Sequence, residues 1–459
     1  MGRSSAGYGT GKDYFTGRGY LGACVGIDNQ GKKAANLLKS VSHPCFSGCG
    51  GGYTRIHLPV APACNIQCNY CVRKFDCPNE SRPGVTAKVL SPREALERYV
   101  LVKERFGKPN VAGIAGPGDA LANFELLKET LSLIREADSA VTFCISTNGL
   151  ALPRYADELE ALGISHVTVT LNAVDPRIGS RMYRHVIFDG KTYRGLEAAQ
   201  LLLENQLEGI RRLGELGMVC KVNIVMLMGL NETHIPEVVK EADRLGADIS
   251  NIMQLIPVKG SVFEHLPLVS NADITRVRTQ CESILPQMYH CRQCRADAVG
   301  TLDNDASLSL NGRLPQNAEG ATTQVPGRLR FAAASKNGYL VDQHFGHTMV
   351  FYIFDYEDGR VHLFERREIP QYCFGPEGCR DRRETMEIIL SLLEDCAGVI
   401  AVRIGEAPRA MLAEKGIQFF MTYDYVTDAV RSAADQITKS VSPKETILDN
   451  ACSTTATSL

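Results

Sequence analysis

Excess charge is missing from this 459-residue sequence: 50 Lys and Arg stand against 52 Asp and Glu, for a formal net charge of −2. A nucleic-acid or membrane-surface partner needs a basic excess, so neither is expected. Long apolar runs are missing too. None approaches the roughly twenty residues of a membrane span, and residues 1–20 are Gly-rich and polar, unlike a secretory signal. A cytoplasmic location is expected. Internal repeats are absent, and a chain of this length reads as two or three domains.

Cysteine, by contrast, is plentiful, with sixteen in the chain. In a reducing compartment disulfides are the wrong reading, and metal or cluster ligation is the better one. Cys24, Cys220, Cys281, Cys396 and Cys452 stand alone, and a lone cysteine is more often a small buried hydrophobe. Most of the others fall into groups.

From residue 53 the pattern becomes regular. Strand-like runs at 54–60, 111–115, 141–146, 166–171, 221–226 and 251–256 are separated by helical patterns at 92–106, 120–137, 154–162, 196–216 and 235–245, with another at 272–284. Six βα units argue for a parallel sheet with an outer helical layer. One strand face carries Val141, Phe143 and Ile145 while the other carries Thr142, Cys144 and Ser146; the 166–171 run repeats the alternation. A strand buried on both faces should be apolar throughout, so the polar face suits a barrel-like sheet around a ligand. The alternative is an ordinary sheet with a solvated face.

The expected organisation is an N-terminal ligand segment at 1–52, a barrel at 53–300, a polar linker at 301–328, a small α/β domain at 329–440 and a tail at 441–459.

Cys64, Cys68 and Cys71 have C-x3-C-x2-C spacing directly after the first strand. Three thiolates this close hold three corners of a four-iron cubane and leave one iron open. A zinc site with Cys77 as fourth ligand is the bland alternative. Gly116, Pro117, Gly118 and Asp119 follow the second strand, and Ser146, Thr147 and Asn148 the third. Asn172 ends the fourth and Asn223 lies on the fifth. The C-terminal ends of parallel strands are where such sheets bind ligands. His43-Pro-Cys45-x3-Cys49, Cys144 and Cys291-x2-Cys294 supply six further donors. Each alone has a structural reading: a surface histidine, a buried thiol, a zinc half-site.

The triplet resembles that of the radical S-adenosylmethionine superfamily, which has an aromatic residue, here Tyr70, before the last cysteine. The wider pattern resembles the NifB family of nitrogenase cofactor maturases. It includes Asp175-Pro-Arg-Ile-Gly179, Asn251-Ile-Met-Gln-Leu-Ile256 and the Arg295-Ala-Asp297 that follows Cys294. The segment Asp342 to His347 resembles the NifX-like domain. The resemblance implies a partial (β/α)6 barrel followed by a ribonuclease H-like α/β domain. It also implies three [4Fe-4S] clusters and S-adenosyl-L-methionine as cofactor. Cys64, Cys68 and Cys71 would hold the radical cluster; His43, Cys49 and Cys144 one substrate cluster; Cys45, Cys291 and Cys294 the other. The glycine-rich turn (Gly116, Pro117, Gly118, Asp119) and Ser146, Thr147, Asn148, Asn172 and Asn223 would contact the nucleoside cofactor. The implied reaction fuses two four-iron clusters, with carbide and sulfur insertion, into an eight-iron precursor. The implied partners are iron–sulfur cluster donors, an electron donor and a downstream carrier or scaffold. Two rivals remain: a radical enzyme whose extra clusters only carry electrons, and a non-catalytic cluster scaffold. Every clustered ligand precedes residue 296, so the terminal domain is expected to be dispensable for the chemistry.

Overall fold

A computed structural model of the chain describes residues 35–36, 38–41, 43–46, 53–73, 82–107, 109–258, 260–267, 269–302, 306–310, 328–336, 338, 340–373 and 383–441. Cys49, Cys24, Cys77, Cys379 and Cys452 lie outside these residues, as do most of the expected linker and nearly all of the expected tail.

Six parallel strands lie side by side in chain order: β1 (Arg55–His57), β2 (Val111–Ile114), β3 (Thr142–Thr147), β4 (Ile164–Thr170), β5 (Val219–Met226) and β6 (Ile249–Gln254). Val299–Gly300 pairs antiparallel with β1 and closes that edge. Sequential order with a helix after nearly every strand produces a curled half-barrel sheet. The helix Pro92–Phe106 shows how locally this is encoded. The Ser91 side chain accepts from the Glu94 N–H and the Glu94 carboxylate accepts from the Ser91 N–H, with Pro at the first helical position. Its Ala95, Tyr99 and Val102 turn inward at helical spacing.

The expected two-faced strands are present. Phe143 and Ile145 enter the core with Leu127, Leu131, Ile210 and Val222, while Cys144 and Ser146 face a cavity. Thr168 and Thr170 of β4, Lys221 and Asn223 of β5 and Asn251 and Met253 of β6 face it as well. The polar face therefore lines a cavity rather than an open outer surface. Cys220 and Cys281 are core hydrophobes, as their isolation suggests.

A three-stranded antiparallel sheet, Ile66–Cys68 with Tyr183–Phe188 and Lys191–Tyr193, escapes the sequence reading. Its signal was Asp189-Gly190, both at positive φ (47° and 75°), the hairpin turn such dipeptides favour. The C-terminal unit has a five-stranded sheet ordered Arg360–Glu368, Val350–Glu357, Arg328–Ala334, Gly398–Ala401 and Gln418–Met421. Val350–Glu357 runs antiparallel to both of its neighbours, and the last two strands join in parallel. Helices Arg383–Leu392 and Glu406–Glu414 cover one face and Val426–Val441 the other. The edge strand Gln418–Met421 also escapes the sequence reading.

Candidate cluster and nucleoside site

The triplet loop is fixed from several sides. The Gln67 Nε2 donates to Cys68 O and Cys71 O, both 2.9 Å. Arg73 donates to Gln67 Oε1 at 2.6 Å and Ile66 O at 3.1 Å. The helix Pro176–Met182, capped by Asp175, meets the loop at its C-terminal end. Asn69 N–H donates to Met182 O and Asn69 Nδ2 to Arg181 O, each at 2.8 Å. The helix that Asp175 opens thus clamps the triplet loop through its last carbonyls. Burial pushes Cys64 up to about 11, with Asp119 adding to the rise, and raises Cys68 and Cys71. In the metal-free protein these are thiols, so loading iron expels protons.

The glycine turn and the β3 turn interlock. Asp119 accepts from Leu121 N–H, Ala122 N–H, the Thr147 hydroxyl and Asn148 N–H, the last at 2.6 Å. A Cβ on Gly118 would lie 2.1 Å from Ala63 O, so only glycine lets this turn meet the segment entering the triplet. Asn148 donates to Asn65 Oδ1 at 2.6 Å. Pro117, Gly118, Ser146, Thr147, Asn148 and Asn223 line the cavity. Gly116, at φ 132°, is not among the lining residues.

Asn172 departs from the expectation. It is fully buried and does not line the cavity. Its Nδ2 donates to the hydroxyls of Tyr70 (2.9 Å) and Tyr183 (3.3 Å), and its Oδ1 accepts from Val225 N–H. Both Nδ2 hydrogens thus go to the two tyrosines, so from behind the cavity wall Asn172 holds the aromatic residue beside Cys71.

The remaining donors converge. His43, Cys45, Cys144, Cys291 and Cys294 line the same cavity of about 330 Å³ as Cys64, Cys68 and Cys71. Burial pushes Cys144 up to about 12, with Cys45 adding to the rise and Lys221 opposing it. Both sulfurs of the C-x2-C pair receive N–H donors: Asn251 Nδ2 to Cys291 at 3.2 Å and Arg55 Nη2 to Cys294 at 3.1 Å. The Cys45 N–H donates to His43 Nδ1 at 3.1 Å, leaving Nε2 buried without a hydrogen-bond partner among the described residues. Burial, then His166, Lys221 and His57, hold His43 well below the usual imidazole range. It is neutral at pH 7, as a metal ligand must be. No three described donors surround a single ion. A cubane instead spreads its protein ligands over separate irons.

Sequence reasoning missed the cations. Arg73, Arg82, Lys221 and Arg292 line the cavity, where Asp119 is the only lining acid among the described residues. Lys221 is 6% exposed, its ammonium 3.3 Å from Cys45 O and 4.4 Å over the Phe46 ring. No described carboxylate pairs with it. A buried cation without a counter-ion favours an anionic occupant. Its one sequence signal was a Lys among the inward residues of β5. His57 is a second omission; its ring abuts Gly113 beside Cys144 and contacts Arg295 O at 3.0 Å.

Residues 58–242 match the radical SAM superfamily, and residues 327–436 match the family described as dinitrogenase iron-molybdenum cofactor. The FeMo cofactor biosynthesis protein NifB of Klebsiella pneumoniae is 40% identical over 422 residues, 86% of this chain and 90% of that protein. The chain belongs to the NifB family. The NifB of Chlorobaculum tepidum is 41% identical over 398 residues, covering 86% of this chain and 92% of that one. The NifB of Frankia alni is 36% identical, over 89% and 90%. A remoter likeness is to the crystal structure of Streptococcus suis SuiB bound to S-adenosylmethionine: 16% identity and TM-score 0.39, covering 57% of this chain and 54% of that one. The radical SAM match covers β2 to β5 of the half-barrel, and the second match covers the five-stranded sheet. No helix among the described residues is long and apolar enough to cross a membrane.

Proposed function

We propose that this chain is a radical S-adenosylmethionine enzyme of FeMo cofactor biosynthesis that fuses two four-iron clusters into an eight-iron precursor with carbide and sulfur insertion. The observation that supports it most is the convergence of eight described ligand candidates, from three separate stretches and β3, on one cation-lined cavity.

Cys64, Cys68 and Cys71 hold the radical cluster. When bound, that cluster and S-adenosylmethionine supply a 5′-deoxyadenosyl radical and a methyl group. Pro117, Gly118, Ser146, Asn148 and Asn223 form the nucleoside wall, and Asp119 keeps two of its turns together. His43, Cys49 and Cys144 take one substrate cluster and Cys45, Cys291 and Cys294 the other. Cys45 is the donor whose reassignment would change the division, since His43, Cys45 and Cys49 share one short segment. With Nδ1 of His43 accepting from Cys45, Nε2 carries the ring proton. Ligation through Nε2 needs the other tautomer, so the His43–Cys45 turn opens on loading. That coupling, and an imidazole more easily displaced than thiolate, suit a cluster that must leave after fusion. Lys221 and the lining arginines offset the charge of anionic substrate. Cluster donors, an electron donor and a downstream carrier complete the cycle.

The test is anaerobic iron and sulfide counting with electron paramagnetic resonance, with and without S-adenosylmethionine. Two non-radical clusters should disappear as an eight-iron product and 5′-deoxyadenosine form. Cofactor cleavage with the extra clusters unaltered would favour the electron-carrier reading.

A further inference from the structure

The terminal domain reaches back into the barrel. Arg403, directly after strand Gly398–Ala401, is 7% exposed and its Nη2 donates to Oε1 of Gln293, between Cys291 and Cys294. Gln293 is held at φ 47°, a conformation side-chain-bearing residues rarely adopt. Its Nε2 donates to Gln254 O at 2.9 Å, at the end of β6. The residue inside the ligand pair is thus gripped from both domains. A few residues on, Arg295 pairs with Asp297 at 2.9 Å and approaches Glu406 of the terminal domain at 3.7 Å. On its own side Arg403 bridges His344, and its carbonyl accepts from Phe345 N–H at 2.8 Å. The 342–347 motif is therefore tied to the same arginine. A second cavity of about 190 Å³ lies between the domains and is lined by both Cys291 and Arg403. Burial pushes the Arg403 guanidinium down to about 10 while Cys291 and Cys294 pull the other way, so it stays charged at neutral pH.

We propose that Arg403 is a positioning residue for the substrate-cluster site at Cys291 and Cys294, holding Gln293 between them and supplying positive charge beside Cys291. The terminal domain then completes a wall of the barrel's site, in contrast to the dispensability that the ligand positions alone suggest. This rests on the reading that the pair holds a substrate cluster.

The test uses the full chain, reconstituted anaerobically, as wild type, Arg403→Gln, Arg403→Lys and Gln293→Ala. Iron per chain after a chelator challenge and the midpoint potential of each cluster are measured. Arg403→Gln should lose about one cluster's four irons, or retain that cluster at a more negative potential, because reduction adds negative charge that the guanidinium no longer offsets. Arg403→Lys should restore the potential. Gln293→Ala should lose the same iron and add nothing to Arg403→Gln in the double variant. Wild-type iron and potentials in Arg403→Gln would overturn the proposal. If that variant fails to fold, wild-type behaviour of Gln293→Ala overturns it. A wild-type chain with the radical cluster alone would sink the underlying reading instead, a result visible before any variant is made.

Discussion

The two ligand regions of the cavity are built differently. The triplet comes from eight consecutive residues, Cys64 to Cys71, with Gln67 and Arg73 bonding inside or next to the same loop and Arg181 and Met182 adding an outer hold. The donors proposed for the substrate clusters come from the 43–45 turn, β3 and the 291–294 loop, and Gln293 in the last of these is held by another domain. A local motif survives changes elsewhere, whereas a site assembled from distant segments carries every segment's stability. The radical centre should therefore be the robust partner and the substrate side the fragile one.

The largest effect is expected from breaking the robust side. Cys64→Ala, Cys68→Ala or Cys71→Ala should abolish 5′-deoxyadenosine formation while substrate-cluster iron stays bound. Wild-type cleavage in any of the three would contradict the division. Cys144→Ala should do the reverse, keeping cleavage but stopping eight-iron product. As a mere core thiol its loss would cost little stability, so full iron content with normal product would return Cys144 to packing.

The smaller effects sharpen the comparison. Lys221→Met should weaken retention of substrate clusters by about 1–3 kcal/mol, read as faster iron loss to a chelator, with the radical cluster unaffected. Equal losses from both sides would make Lys221 a general stability residue. The smallest effect is on the metal-free chain. Burial, with Lys221 next, holds His166 down at about 3, and burial does the same for His344. Both are neutral when folded and protonate near 6.5 when unfolded. Their contribution is present above pH 6.5 and falls by about 1.4 kcal/mol per unit for each as pH drops toward 3. Urea unfolding between pH 7 and 5 should show that slope, and His166→Gln should reduce it.

The same contrast explains what the sequence made legible. The half-barrel could be read because six strands repeat one alternation and the helix starts carry local caps such as Ser91 and Glu94. The triplet could be read because its spacing is its geometry. Asn172 misled because its position at a strand end is shared by ligand-binding and ligand-positioning residues; only its bonds to Tyr70, Tyr183 and Val225 tell them apart. Lys221 was visible as an inward residue, but the lack of a carboxylate beside it belongs to tertiary structure. Arg403 stands 110 positions from Gln293, and no periodicity links them.

The central claim is that two independent ligand systems share one cavity, and Mössbauer counting of clusters in the triple variant Cys64→Ala, Cys68→Ala, Cys71→Ala tests it most directly. The account predicts that about eight of twelve irons remain, as two four-iron clusters, with no cleavage of S-adenosylmethionine. Retention of only the iron of a single cluster, or of none, would contradict it.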